Sequence, residues 1–383
     1  MKLALILDRF DAAQGGLEHW AWQWATWLLD RGHEVAVVAS EGRGDPSRDG
    51  LSLHSLGFAN SRVAFAERVA AFLERLPVDL VHDLGVGWRY DLLQPQFGTR
   101  LADDRRNLRS LPLSRRLPAL ISPRRHRRLG DIRTLERRQY VDNPGHVVAV
   151  SAMTRDDMLR EHGLPDGQIT VIHNGVDTTR FRPPQENLRC ALRKRAGLED
   201  RVVLLFAAHN FRLKGLNTVL RALARLRSPR LHLLVVGRGP VEKYARLADR
   251  LELAGRVTFA GFVPDIREAF AVADAFVQPT FYDPCSLSIL EAAASGLPVL
   301  TSRYNGASEL FHDGVSAWIL RDPADVAETA DRIEFLLDTN TRARVGAAAL
   351  LVANEATADR CFSRLLDLCG RILRNRRATQ CPA

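Results

Sequence analysis

The sequence predicts an α/β protein of two doubly wound domains, each a parallel sheet covered by helices. Three observations carry this. Short apolar runs alternate with longer amphipathic ones along the chain, the mark of βα units. The runs fall into two series that stop and restart at a turn-rich junction, HNGVDTTRFRPP (173–184), where Asn-Gly and Pro-Pro punctuate the backbone. Finally, 383 residues exceed what one ordinary core holds, so two domains of common size are expected.

The first series of strands reads LALIL (3–7), EVAVVAS (34–40), DLVHD (79–83), HVVAVS (146–151) and ITVIH (169–173). The second reads RVVLLFAA (201–208), LHLLVVG (231–237), RVTFAG (256–261), AFVQP (275–279) and LPVLTS (297–302). The expected domains are therefore 1–172 and 173–357, with 358–383 as a C-terminal helix, and a linker at the junction leaves a cleft between the two domains. The first helix, GLEHWAWQWATWLLDRGH, carries four tryptophans. Its helical spacing turns Leu17, Ala21, Trp24 and Leu28 to the sheet and Trp22 the other way, toward a membrane or acceptor surface if it is exposed. Gly32 after the last turn is an ordinary helix exit. Between 100 and 140 strand formers give way to arginines, with PRRHRR (123–128) at the centre. Two readings stand side by side. One is a solvated helical excursion. The other is a face that lies on an anionic membrane surface through Arg124, Arg125, Arg127 and Arg128, each cation contributing up to ~1 kcal/mol near the headgroups.

Composition narrows the function. Hydrophobic residues make up 46% and charged residues 26%, the balance of a soluble globular chain and not of a disordered one. No run approaches the ~20 apolar residues that span a bilayer. MKLALILDRFD reads as a first strand and not as a signal peptide, which gives a cytoplasmic expectation. Cys190, Cys285, Cys361, Cys369 and Cys381 are odd in number and lack C-x-x-C pairing, so they read as thiols and not as a disulfide framework or zinc site. The formal charge of +9 favours an anionic partner: nucleic acid, anionic lipid or a phosphorylated small molecule.

In open parallel sheets, ligands bind beyond the carboxyl ends of the strands. After the first strand, Gly15-Gly16 precede a helix and let the backbone approach a ligand, although such a pair is often only a turn. After RVVLLFAA, Arg212 and Lys214 stand just before a helix. Cations there oppose the helix dipole, so local stability gives them no reason to be present, whereas an anion does. After AFVQP, a helix begins near Cys285 or Ser286, and the first-turn N–H groups of Ser286, Leu287 and Ser288 have no partner within it. A pyrophosphate fits there. The helix terminus contributes only ~0.3 to 2 kcal/mol, and each charged hydrogen bond from a lysine or arginine adds ~1.5 to 3. Glu291, inside that helix, suits the vicinal hydroxyls of a ribose, and Asp283, before it, faces the other end of the ligand, where a hexose lies. The plainer alternative makes Asp283 a helix cap and Glu291 a solvent-facing acid.

These residues resemble the retaining GT-B glycosyltransferases of family 4. Asp283 and Glu291, with seven residues between them, match the family's E-x7-E motif, and GG (15–16), HNGVDTTRF (173–181), FRLKG (211–215), LLVVGRGP (233–240), VTFAGFVPDI (257–266) and SGLPVLTSRYNGASEL (295–310) fall in the family's order. The chain looks most similar to the lipopolysaccharide core glucosyltransferases that add a hexose to heptose. The resemblance implies two Rossmann-like domains facing a central cleft, with the C-terminal helix crossing back to the first. It implies transfer of a hexose with retention from a nucleotide sugar, UDP-glucose, to a cell-envelope glycan or glycolipid, at the cytoplasmic face of the inner membrane. Glu291 then binds the ribose, Asp283 the donor sugar, Lys214 and Arg212 the diphosphate, while Gly15 and Gly16 approach donor and acceptor. No metal or cofactor is implied, in keeping with the lack of a D-x-D element. The chain departs from the pattern in three places. Asp283 is one methylene shorter than Glu, Leu213 stands where relatives carry arginine, and QPQFGTR (94–100) offers Gln96 and no titratable side chain before Asp103 on the acceptor side.

Other readings fare less well. A dinucleotide oxidoreductase needs G-x-G-x-x-G after a first strand, which DAAQGGLEHW does not supply. A nucleic-acid-binding module lacks any helix-turn-helix, zinc or aromatic-platform signature, so no nucleic-acid partner is expected. A catalytically silent nucleotide-sugar binder on the same fold, or a transferase using GDP-mannose or UDP-GlcNAc, remains as the alternative.

Overall fold

The computed structural model describes residues 1–11, 15–43, 48–143 and 145–380; Cys381 lies outside them. The chain divides into two compact units. The first comprises Met1–Arg105, Leu113–His173 and the chain from Arg360 onward, and the second comprises Arg106–Pro112 and Asn174–Asp359.

Strands β1 (Lys2–Ile6), β2 (Arg9–Phe10), β3 (Glu34–Ala39), β4 (Glu41–Gly42), β5 (Leu51–Ser55), β6 (Leu80–Asp83), β7 (Leu92–Leu93), β8 (His146–Ala149) and β9 (Ile169–Val171) belong to the first unit. Seven of them form one parallel sheet in the order β5-β3-β1-β6-β7-β8-β9, and β2 pairs with β4. Leu3 to Leu7 and Val35 to Ala39 are almost wholly buried, because helices cover both faces of a parallel sheet and its strands must be apolar throughout. The strand β5, which sequence periodicity misses, sits at the edge with most of its residues only half-buried. Such a strand carries a weaker apolar signal.

Helix α1 (Gly16–Leu29) buries Trp20, Ala21, Trp24, Ala25 and Leu28. Trp20 takes the place expected for Leu17, which is only half-buried. The cause is distant in sequence: Phe362 packs 5.6 Å from Trp20 and 5.3 Å from Trp24. Phe362 comes from the last helix of the chain, which is anchored further by Arg364 Nη2 donating to the Val171 carbonyl (3.0 Å) and by Arg376 pairing with Asp91 (2.8 Å). Trp22 is half-buried against Phe10 (5.3 Å) and does not stand out as an exposed anchor.

Helices α2 (Arg62–Leu73), α3 (Arg100–Arg109), α4 (Leu113–Leu120), α5 (Pro123–Tyr140) and α6 (Ala152–His162) follow, so the arginine-rich stretch is helical. Two of its four central arginines are paired with an acid of the chain itself, Arg125 largely buried and Arg128 still 52% exposed. Asp104, 4% exposed, accepts from Arg125 Nε (3.0 Å) and Nη2 (2.5 Å) and from Arg128. A buried carboxylate demands compensation, and these two guanidiniums supply it. Arg124 and Arg127 remain exposed, and α4 and the turn after it present Leu113, Leu117, Leu120 and Ile121 to solvent.

In the second unit, α7 (Glu186–Ala196), β10 (Val202–Ala207), α8 (Leu216–Leu226), β11 (Leu231–Val236), α9 (Val241–Arg250), β12 (Val257–Gly261), α10 (Ile266–Val272), β13 (Ala275–Gln278), α11 (Leu287–Ala294), β14 (Val299–Ser302), β15 (Trp318–Leu320), α12 (Val326–Phe335) and α13 (Thr339–Glu355) succeed one another. The parallel sheet runs β12-β11-β10-β13-β14-β15, and Phe206, Leu216, Leu220, Leu233, Val277 and Leu300 lie in its core. The order reverses between β10 and β13. That reversal places the loops after these two strands side by side at the crevice where doubly wound sheets bind ligands.

Candidate active site

The loop after β10 reaches the loop after β13 through one glycine. Gly215 caps α8 with φ +84°, a conformation that favours residues without a Cβ. A Cβ there would lie 2.1 Å from the Pro279 carbonyl oxygen. This contact presses the start of α8 against the end of β13. The Phe281 amide donates to the Leu213 carbonyl (2.8 Å), and Thr280 Oγ1 donates to the same oxygen (3.2 Å). Leu213 is buried, so the side chain between Arg212 and Lys214 points into the core. The Lys214 ammonium forms an ion pair with the Asp283 carboxylate, both side chains being mostly buried.

Asp283 is held from the other side by β14's exit. Its amide donates to the Tyr304 carbonyl (2.9 Å), and its carbonyl accepts from the Gly306 amide (2.8 Å). Asp283 is thus no helix cap. The cap of α11 is Ser286, and the helix begins at Leu287, two residues beyond Cys285. Ser286 makes no side-chain cap bond; its hydroxyl lies 3.0 Å from Ser288 Oγ. Its amide donates to Asn305 Oδ1 (3.3 Å), so of the three expected amide donors Ser286 is already engaged and Leu287 and Ser288 carry the helix-terminal role. Cys285 is buried, and its carbonyl accepts from Asn174 Nδ2 (3.0 Å).

Glu291 sits in the second turn of α11 and is half-buried. Burial pushes its carboxyl up to about 7, with the charge of Arg180 easing it down. Arg180 was not legible as part of this arrangement; it stands at the end of the HNGVDTTRF junction, where the only signal was its position in the turn. Arg212 is directed elsewhere. Its Nη1 donates to the Asn107 carbonyl (2.7 Å) and to Ser110 Oγ, and its Nη2 donates to Asn107 Oδ1 (3.1 Å). Lys214, not Arg212, meets Asp283.

The first-unit candidates lie at the carboxyl ends of their own sheet. Gly15 caps α1 in an extended conformation and Gly16 opens the helix; a Cβ on Gly15 would meet the Glu18 carboxylate at 2.6 Å. Gln96 is half-buried shortly after β7, and Asp103 lies in the first turn of α3 with its amide on the Thr99 carbonyl (3.1 Å). Beside them stands a feature that sequence reading missed. Asp83 is fully buried and accepts the amides of Gly85, Val86 and Gly87, each at 2.7 Å, while burial still pushes its carboxyl up to about 6. His82, next to it, accepts from Trp24 Nε1 at Nδ1 (3.2 Å) and lies 3.1 Å from Gln94 Oε1 through Nε2. Burial drives its imidazole down to about 3, so it stays neutral and structural. The glycines of DLGVG and the acid before them were the available signal.

Two family profiles match, one on each half of the chain: "Glycosyltransferase Family 4" over residues 14–180 and "Glycosyl transferases group 1" over residues 200–339. Both profiles are of glycosyltransferases, and between them they reach from residue 14 to residue 339 of the chain. Among curated glycosyltransferase relatives, it is 32% identical over 191 residues to the putative glycosyltransferase EpsD of Bacillus subtilis, covering 48% of this chain and 50% of that one. It is 31% identical over 219 residues to D-inositol 3-phosphate glycosyltransferase of Mycobacterium bovis, covering 54% and 44%. The matches thus span about half the length of these curated relatives. Solved structures extend the likeness in fold across the chain. WaaG, a glycosyltransferase involved in lipopolysaccharide biosynthesis, superposes with a TM-score of 0.81 at 20% identity, over 96% of this chain and 99% of that one. HepE of Anabaena, solved in complex with UDP-glucose, gives 0.75 at 20% identity, over 97% and 100%. The fold of the chain is GT-B.

Proposed function

We propose that this protein moves glucose from UDP-glucose, with retention, to a cell-envelope glycan or glycolipid such as lipopolysaccharide core. The observation that carries the reading is the Lys214–Asp283 pair at the sheet's reversal point, with Glu291 one turn into the adjoining helix. Glu291 would accept the ribose hydroxyls, and the amide end of α11 with Lys214 would neutralise the diphosphate as it leaves. Asp283 would hold hydroxyls of the hexose. The bond from the anomeric carbon to the diphosphate oxygen breaks, the acceptor oxygen bonds to that carbon on the same face, and the acceptor's proton passes to the departing phosphate oxygen. This route needs no titratable side chain at Gln96. UDP-glucose in the HepE structure and the lipopolysaccharide role of WaaG favour the choice of donor and acceptor.

Work at the cytoplasmic face of the inner membrane belongs to the same proposal. Among the described residues no helix is long and apolar enough to cross a membrane. The surface reading rests on exposed Leu113, Leu117 and Ile121 on and just after α4, with exposed Arg115 on that helix and exposed Arg124 and Arg127 on α5, apolar side chains and cations in one stretch of chain.

A panel of nucleotide sugars scored by thermal stabilisation and slow hydrolysis tests the activity: UDP-glucose should stabilise most, and no stabilisation by any of them refutes it. Co-sedimentation with liposomes tests the surface. Binding should require anionic lipid and weaken with salt and in Leu117→Asp; equal behaviour on neutral vesicles, or no binding, ends that part.

A further inference from the structure

Tyr304, whose carbonyl holds the Asp283 amide, carries a guanidinium over each of two approaches to its ring. Arg106 lies 4.1 Å and Arg303 5.2 Å from the ring centroid. Arg303 Nη2 donates to the Tyr304 hydroxyl oxygen (3.0 Å), while Arg106 lies over the ring. A phenol oxygen has two lone pairs and one hydrogen. With a guanidinium on one lone pair, the hydroxyl hydrogen is left to donate elsewhere.

The two guanidiniums are donors only, the hydroxyl keeps a hydrogen to donate, and the group carries two positive charges. Two other pairs of neighbouring arginines share an acid: Arg125 and Arg128 with Asp104, Arg189 and Arg193 with Asp274. Among the described residues, no carboxylate lies within ion-pair distance of Arg106 or Arg303, and Arg106 Nε is buried with no hydrogen-bond partner. A ring face contributes only about 0.5–1 kcal/mol per cation at an exposed site, and the two charges repel each other. Arg106 and Arg303 concentrate positive charge at one ring with no described carboxylate in ion-pair distance, and planar guanidinium forks match the oxygens of a phosphate group.

We infer that Arg106, Arg303 and the Tyr304 hydroxyl form a phosphate-binding site beside Asp283, and that the acceptor glycan carries a phosphate ester there. The second clause rests on the proposed transfer. The first stands without it. The position favours the acceptor over the donor diphosphate, because the cluster joins the chain at Asp283, the end assigned to the hexose, and not at the first turn of α11.

Calorimetric titration with inorganic phosphate, with and without saturating UDP, tests the site. Phosphate should bind in both conditions. Arg303→Gln and Arg106→Gln should each weaken it at least about tenfold while UDP affinity moves less than about twofold, and Arg303→Lys should retain part of the binding. No phosphate binding by the wild type, equal binding by the variants, or phosphate binding abolished by UDP would overturn the inference, the last by giving the cluster to the donor. Failure of UDP itself to bind would sink the proposed activity and leave the phosphate result standing. With acceptors that differ only in one phosphate ester, the phosphorylated form should show the lower KM, and Arg303→Gln should remove the difference; indifference to the ester refutes the acceptor clause.

Discussion

Glu291→Gln should abolish a pH dependence of donor binding that the unsubstituted chain shows near neutrality. Burial holds the Glu291 carboxyl up to about 7, so roughly one molecule in ten is ionised at about pH 6 and nine in ten at about pH 8. Two ribose hydroxyls are both donors, and the carboxylate, not the carboxylic acid, can accept from both. Affinity for UDP-glucose should therefore rise about tenfold between those pH values, a difference of ~1.4 kcal/mol. The donor's diphosphate diester does not titrate in this window. Stability runs the opposite way. The unfolded carboxyl ionises near its ordinary value of 4.5, so the folded chain holds the proton longer. The contribution is fully present below that value and is lost as pH rises through 7, at most ~3 to 4 kcal/mol in all. Calorimetry at three pH values, paired with melting curves, reads both. The glutamine variant should bind weakly and evenly across the range and melt higher than the parent at about pH 8. A flat affinity in the parent, or the same slope in the variant, would refute the assignment of Glu291 to the ribose.

Lys214→Ala should lower kcat by roughly 100-fold if ~3 kcal/mol of leaving-group stabilisation is lost; an unchanged kcat in a folded variant removes Lys214 from the chemistry. Gly215→Ala should cost at least about 1–3 kcal/mol of stability, because φ +84° and the Pro279 carbonyl at 2.1 Å both oppose a Cβ. Its melting temperature is the readout, and an unaltered value would mean that α8 does not hold Lys214 in place through this contact.

Much of the fold was legible because parallel strands buried on both faces must be apolar runs, and LALIL, EVAVVAS and RVVLLFAA are such runs. The edge strand Leu51–Ser55 and the short strand Trp318–Leu320 were not, since half-exposed or three-residue strands leave no comparable signal. Lys214, Asp283 and Glu291 were legible from spacing and from cations standing at a helix start, where the dipole gives them no support. Side-chain commitments were not. Whether Arg125 faces a membrane or Asp104 depends on an acid 21 residues away being buried, and Trp20 displaces Leu17 from the core because Phe362 arrives from the far end of the chain. Charge counts give how many cations exist; only burial of the acids decides which of them remain available.

That distinction bears on Lys214. An ammonium paired with Asp283 presents a site of zero net charge to an incoming diphosphate, so the pair as it stands offers the donor little attraction. The attraction appears when the pair exchanges partners. On the proposed function, Lys214 would turn to the phosphate oxygens and Asp283 to the hydroxyls of the sugar, so that each buried charge would keep a partner and neither would bear the several kcal/mol of an unpaired state. The short side chain of Asp283 reaches Lys214 while its backbone is held by Tyr304 and Gly306, so the exchange asks only for side-chain rotation. On this account Asp283→Asn frees the ammonium before the donor arrives, so donor diphosphate binding strengthens while transfer falls. A variant in which UDP affinity and turnover drop together would show that the two residues do not exchange partners in this way.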